Sequence, residues 1–320
     1  VSSAEAIGVD LGGTKMLLGV LDADSKVAWE SREASTGQGE DELVELLVRE
    51  IAGARTDRPG IEAIGMGIPA TIDHEKGVAV SAVNLPIENL PIRDLVAERT
   101  GLPSFVDNDA NVAALAESLY GAAHGARNAL MLTIGTGIGG GLILGGEIYR
   151  GTTGAGAELG HMTIEMDGPP CQGNCPNRGC VETMASGTAL GREGRAAAES
   201  EPDSVLGKLL AGGEEIDGKA VTEAALRGDE AAIRVFDLIG RRLGVALASF
   251  ANIFEPEVVV IGGGVIAAGD LLLEPARSEL VSRALPSMSR TPVVAAQLGQ
   301  DAGMIGAAAM ARIELEGTAG

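Results

Sequence analysis

Ile7-Gly-Val-Asp-Leu-Gly-Gly-Thr-Lys-Met-Leu-Leu-Gly19 is an apolar run, a glycine-rich turn and a second apolar run. Runs this short, bounded by glycines, are strand signals. The same order returns about 125 residues later as Leu132-Thr-Ile-Gly-Thr-Gly-Ile-Gly-Gly-Gly-Leu-Ile-Leu144. A strand–turn–strand unit at the head of each half predicts an α/β chain of two similar domains facing a cleft.

Outward from the first unit, strands are expected over 6–10, 16–21 and 27–32, antiparallel in sequence. A helical stripe follows at Leu43, Leu46, Leu47, Ile51 and Ala52 within 40–55. Strands at 64–68 and 104–106 lead into a helix over 109–120, opened by acidic and Asn residues. The second cycle has strands at 129–134, 141–144 and 147–149, then helices at 182–192, 220–227 and 229–253. A strand at 258–261 runs into Gly262-Gly263-Gly264, another is expected at 292–296, and 303–313 forms a closing helix. Residues 197–218 read as a polar, acidic insertion. The domains are drawn as 1–121 with 303–320, and 122–302.

Composition narrows the function. With 45 acidic against 24 basic residues the formal charge is −21, which repels phosphate backbones and anionic lipids. Aromatics are 2%, too few for base-stacking platforms. Neither nucleic acid nor membrane is an expected partner. Residues 129–146 carry no charge, but seven of the eighteen are glycine, which fits two strands and a turn better than a membrane helix. The first residues lack a basic n-region and an apolar h-region, so a cytoplasmic location is expected.

An anionic ligand must therefore be met locally. Gly135-Thr-Gly-Ile-Gly-Gly140 satisfies G-x-G-x-x-G, but a strand and not a helix follows, against a dinucleotide fold. Residues 8–15 end in Thr-Lys, the reverse of a Walker A loop. What remains is a phosphate cradle of another kind. Gly12, Gly13, Gly137 and Gly139 let backbone amides approach phosphate oxygens, with Thr14 and Thr136 in the same turns and Gly263 and Gly264 after a later strand. Asp10, at a strand end beside one turn, can hold a hydrated Mg²⁺, and Lys15 can pair with phosphate charge. Each turn taken singly also fits a hairpin that needs positive φ.

All three cysteines fall in a short stretch with the spacing His161-x9-Cys171-x3-Cys175-x4-Cys180. Three thiols and an imidazole match a closed tetrahedral Zn²⁺ site with a structural role. Glu158 and His161, three apart, share a face on a helical turn, where a carboxylate and an imidazole suit adjacent hydroxyls. Glu182 can add a further acceptor. His74 and His124 have no such company and read as surface or turn residues.

Residues 7–15, Val106-Asp-Asn-Asp-Ala-Asn111, Thr133-Ile-Gly-Thr-Gly-Ile-Gly-Gly-Gly141 and Gly156-Ala-Glu-Leu-Gly-His161 resemble, in order, signatures of the ROK family of sugar kinases and sugar-responsive repressors. Cys180-Val-Glu182 and Val259-Val-Ile-Gly-Gly-Gly264 continue the series. The resemblance is greatest to the bacterial glucokinases. It implies an actin-like ATPase (ribonuclease H-like) fold and transfer of the γ-phosphate of ATP to the 6-hydroxyl of glucose. Asp109 is then the base, and Asn108, Asp109, Glu158, His161 and Glu182 contact the hexose. Taken alone, Asp107 or Asp109 can equally cap the helix. A homodimer or homotetramer is also implied. The family's C-x-C-G-x-x-G-C is altered, with two extra residues between Cys171 and Cys175 and Pro176 in place of Gly. Mannose, fructose or an N-acetylhexosamine are alternative acceptors, and a silent sugar sensor is a further alternative. A DNA-binding regulator is disfavoured by the charge and by a first motif that starts at Ile7.

Overall fold

The computed structural model describes residues 4–35, 39–83 and 85–318. In chain order the elements are β1 (Glu5–Leu11), β2 (Lys15–Leu21), β3 (Val27–Ala34), α1 (Glu40–Asp57), β4 (Ile61–Ile68), β5 (Ala70–Asp73), β6 (Val78–Ala82), β7 (Glu88–Leu90), α2 (Ile92–Thr100), β8 (Ser104–Asn108) and α3 (Asp109–Tyr120). Then come β9 (Ala129–Ile134), β10 (Ile138–Leu144), β11 (Glu147–Ile148), α4 (Val181–Ala185), α5 (Gly187–Ser200), α6 (Val205–Ala211), α7 (Gly218–Leu226), α8 (Glu230–Phe254), β12 (Val258–Gly262), α9 (Asp270–Arg283), β13 (Val293–Ala295) and α10 (Ala302–Thr318). The chain forms two compact units, Val1–Gly125 with Gly141–Ala157 and Gln297–Gly320, and Ala126–Gly140 with Glu158–Ala296.

The first unit is built on a sheet of order β3-β2-β1-β4-β8. Tight turns make β1–β2–β3 antiparallel, while helical crossovers place β4 and β8 parallel to β1. Strand periodicity sorts β1 into two faces. Ile7, Val9 and Leu11 bury against Leu47 and Ile51 of α1. Ala6, Gly8 and Asp10 share the opposite face, which α10 covers. The residues there are small because the helix backbone lies on the sheet. A Cβ on Gly8 would meet the Met304 carbonyl and lie 2.6 Å from the Ala308 nitrogen, and one on Gly65 would meet the Ala307 backbone. The same face carries Asp10 to the first turn of α10, so helix–sheet packing positions an acid at the strand end.

In the second unit β12 lies between β9 and β13, parallel to both. The 25-residue α8 is capped by Asp229 and packs on α9 through Gly240 and Gly244, where Cβ atoms would lie 2.5 Å from Pro275 Cγ and from the Ala276 carbonyl.

Several elements depart from expectation. The small sheet β5-β6-β7 has strands of only three to five residues, too short for alternation to show in the sequence. Helices α2, α6 and α9 add to the expected elements: α6 lies within the polar stretch 197–218, and α9 contains Pro275, a residue that disfavours helix. The helix expected over 182–192 is broken at Ser186, whose extended backbone and Oγ cap α5. Residues 141–157 group with the first unit, because Gly141 lies against Ala110 and Ala114 of α3. Among the described residues no helix is long and apolar enough to cross a membrane.

Candidate active site

In the first unit, the β1–β2 turn closes through the Gly12 N–H and the Lys15 carbonyl at 2.8 Å, and Ser35 Oγ donates to the Gly12 carbonyl at 2.7 Å. Gly13 is half-buried in this turn, and Thr14 and Lys15 are exposed. Lys15 Nζ donates to Gln300 Oε1 at 3.1 Å. Asp10 is packed so tightly that a Cβ on Gly303 would lie 2.6 Å from its Cγ. Burial first, and the charge of Asp109 second, raise its pKa from 3.8 to about 7, against the opposing pull of Lys15. A cation there would relieve both penalties, so the carboxyl fits a Mg²⁺ site.

Asp109 opens α3, and the cap is the residue before it. Asn108 Oδ1 accepts from the N–H groups of Ala110 and Asn111 at 2.9 and 3.3 Å, and its Nδ2 donates to the Ala70 carbonyl at 3.3 Å. Asp107 and Asp109 therefore do not cap the helix in the usual sense. Asp109 Oδ1 accepts from Ala110 N–H at 2.9 Å, and Asp107 is buried behind the helix start. The structure thus places both Lys15 and Asp109 within electrostatic range of Asp10.

In the second unit, the β9–β10 turn closes from Gly135 N–H to the Gly137 carbonyl at 2.9 Å. The break at Ser186 points the start of α5 at this turn: Gly187 N–H donates to the Gly135 carbonyl at 2.7 Å, and Thr188 Oγ1 to the Thr136 carbonyl at 2.8 Å. Helix N-termini favour anions, so the site suits a phosphate. Gly12 and Gly137 lack left-handed φ; what the glycine at 137 provides is room, because a Cβ would strike Glu182 Oε2. Gly139 lies in β10. Gly263 does need its glycine: φ is +85°, and a Cβ would collide with the Ile134 backbone. A cavity of about 1070 Å³ opens here, lined by Thr136, Thr188, Arg192, Lys219, Gly264 and Val265 among others. Its size and apolar walls suit a nucleoside.

Glu158 precedes a short 3₁₀ turn, Leu159–His161, which brings its Oε2 to 4.0 Å from His161 Nε2. Burial, helped by Glu182, raises the Glu158 pKa against the His161 charge. The other ring nitrogen of His161, Nδ1, lies 3.5 Å from Cys171 Sγ. Cys175 and Cys180 Sγ are 4.0 Å apart, and the four donor atoms lie within 4.8 Å of one another. Tetrahedral Zn²⁺ with Zn–S of about 2.3 Å sets sulfurs about 3.8 Å apart, so the residues fit the ion. The extra residues after Cys171 are absorbed by its loop, where Cys171 N–H bonds the Asn177 carbonyl at 2.8 Å. Burial and the neighbouring thiols push the Cys171 thiol up to about 12, a penalty that Zn²⁺ would reverse. Glu182, in the first turn of α4 after Cys180, accepts the Ile138 N–H at 2.9 Å.

A model of the ROK family matches residues 6–314, nearly the whole chain. The chain belongs to the ROK family. A glucokinase of Thermotoga maritima is 38% identical over 97% of this chain and 98% of its own. A solved ROK glucokinase of Streptomyces griseus, in complex with glucose and AMPPNP, is 36% identical with a TM-score of 0.85, covering 97% of this chain and all of that one. A ROK hexokinase of Thermus thermophilus is 36% identical with a TM-score of 0.80, covering 98% and 99%. The fold is accordingly the two-domain, actin-like ATPase fold of the ROK sugar kinases.

Some residues around these ROK motifs carried no sequence signal. Gln300 on Lys15, Arg150 on Asp107 and the cavity wall from Gly135 to Ala267 join positions far apart in sequence. His74, read as a surface or turn residue, lies in the turn after β5, where it also comes within 3.5 Å of Glu314 and 3.2 Å of the Val106 carbonyl.

Proposed function

We propose that this chain is a glucokinase, transferring the γ-phosphate of ATP to the 6-hydroxyl of glucose. The reading rests above all on its full-length likeness to the glucose- and AMPPNP-bound relative, held together with intact acids at Asp10 and Asp109. Asp109 accepts the hydroxyl proton as the acceptor attacks, with its carboxylate fixed at the start of α3. Asn108, Glu158, His161 and Glu182 bind the sugar hydroxyls. His161 can serve both roles, because Nδ1 faces the thiols and Nε2 faces Glu158.

The turns Gly12–Lys15 of the first unit and Thr136–Gly139 of the second are each read as phosphate contacts of ATP, and the second unit's cavity lined by Gly264, next to Gly263, as the nucleoside site. Mg²⁺, when bound, neutralises phosphate charge, and Asp10 is the residue to hold it through water. Lys15, released from Gln300, pairs with phosphate oxygens. Zn²⁺ at His161, Cys171, Cys175 and Cys180 fixes the loop that carries His161. The protein acts in the cytoplasm as a homodimer or homotetramer, in line with its family.

The test is ADP release with Mg·ATP against glucose, mannose, fructose and the N-acetylhexosamines, with Asp109→Asn alongside. Glucose is the preferred acceptor, and the variant loses about 10²–10⁴-fold in kcat with its fold intact. Preference for another hexose would move the substrate, and no turnover on any would defeat the reading.

A further inference from the structure

We propose that Arg150 is a positioning residue for the acceptor pair Asn108–Asp109, acting through the buried carboxylate of Asp107. The proposal rests on the reading of Asn108 and Asp109 as the acceptor site.

Asp107 is 1% exposed, and its two oxygens are used differently. Oδ1 accepts the Asn108 N–H at 2.7 Å and Asn111 Nδ2 at 2.9 Å, so it ties the last residue of β8 to the first turn of α3. Those two partners bracket Asp109. Oδ2 accepts from Arg150 Nε at 2.6 Å, and this ion pair supplies the counter-charge that a buried carboxylate requires.

Arg150 is itself held from two sides. Its carbonyl accepts the Gly156 N–H at 2.9 Å, closing the loop that leads towards Glu158. Its guanidinium lies 3.7 Å from Glu314 of α10. Glu314 also faces His74, and the His74 hydrogen bond holds the Glu314 carboxyl below the usual range. The chain His74–Glu314–Arg150–Asp107 therefore links α10 and the β5–β6 hairpin to the residue beside the base. Without the guanidinium, Asp107 is left charged and unpaired, and turning towards water would release both Asn108 N–H and the Asn111 side chain. The first turn of α3, and Asp109 with it, would shift.

The experiment compares the wild-type full chain with Arg150→Met, Arg150→Ala and the pair Asp107→Asn/Arg150→Met. Kinetics are measured with glucose and ATP varied separately, alongside melting temperature and hydrogen exchange over residues 107–115. A misplacement near 1 Å costs about 10²-fold, so kcat/KM for glucose falls by about that factor. The KM for ATP moves by less than about twofold, since nucleotide binding uses other elements. Exchange at the start of α3 rises, and guanidinium ion partly restores Arg150→Ala. The double variant removes the unpaired charge while the amide oxygen at position 107 still accepts from Asn108 N–H and Asn111 Nδ2, so it regains melting temperature and part of kcat/KM for glucose. Wild-type kinetics and exchange in Arg150→Met would overturn the proposal. So would an equal loss for both substrates with no rise in exchange at the start of α3, which marks a role in stability alone. If the wild type phosphorylates no hexose, the acceptor reading fails; exchange at 107–115 still decides whether Arg150 holds the helix start.

Discussion

The Glu182 carboxylate accepts the backbone N–H of Ile138 at 2.9 Å, which joins the first turn after Cys180 to the glycine turn of β9–β10. Its other oxygen lies 4.0 Å from Cys171 Sγ. Glu182 is therefore a strut between the thiol cluster and the turn proposed to cradle phosphate, as well as a candidate sugar contact. A hydrogen bond to a charged group contributes about 1.5–3 kcal/mol. Glu182→Ala should weaken an ATP analogue by about 10–100-fold in the absence of sugar, read by calorimetry. Glu182→Gln keeps an acceptor for Ile138 and should lose far less. Unchanged nucleotide affinity in the alanine variant would remove the strut.

Asp10 makes stability depend on pH. Its folded pKa of about 7 stands above the ordinary 3.8, so between those values the folded protein holds a proton that the unfolded chain has lost. Its contribution to stability is fully present below 3.8 and falls as pH rises to about 7. Asp10→Asn removes the buried charge and should stabilise the ligand-free protein at pH 8 by about 1–3 kcal/mol, while phosphoryl transfer collapses. Denaturant unfolding at pH 5 and pH 8 measures the difference, which should be smaller at pH 5. Mg·nucleotide binding should also weaken as pH drops below about 7, because Asp10 must then lose its proton.

Zinc uptake should release protons at neutral pH, since the Cys171 thiol is pushed up to about 12 without a cation and must ionise to bind one. Calorimetry in buffers of differing ionisation enthalpy counts them. Cys175→Ser should cost more zinc affinity than the about 10–100-fold that outer-shell changes cost. It should also raise the KM for hexose, because Cys171 and His161 share the cluster.

Gly306 lets α10 lie on α3, and an added Cβ would strike the Val112 backbone carbonyl. The obstacle is backbone, which cannot swing aside. Gly306→Ala should cost at least about 1–3 kcal/mol in urea unfolding, with no change in zinc content.

Local chemistry was legible wherever it sits in consecutive residues. The strand pairs at 5–11 with 15–21 and at 129–134 with 138–144 follow from apolar runs around glycine turns, whose type depends on neighbouring residues. The clustering of His161, Cys171, Cys175 and Cys180 follows from thiol spacing, because a short loop brings its own members together. The helix at 109–120 matches its pattern to the residue. Break points were less visible: Ser186-Gly187 interrupts a helical stripe because Gly187 N–H bonds Gly135, a partner outside any local window.

Which distant groups share a burial environment follows only from packing in three dimensions. Consecutive residues were enough to show the family, the two glycine turns and the cluster of His161 with three cysteines. They left open that Asp10 is packed against Gly303, that Asn108 and not an aspartate caps α3, and that Arg150 neutralises Asp107. The cap turns on which of three neighbouring side chains the backbone aims at the helix start; the other two depend on desolvation or charge pairing between residues far apart in sequence, and both effects fall off over a few ångströms of space whatever the separation along the chain.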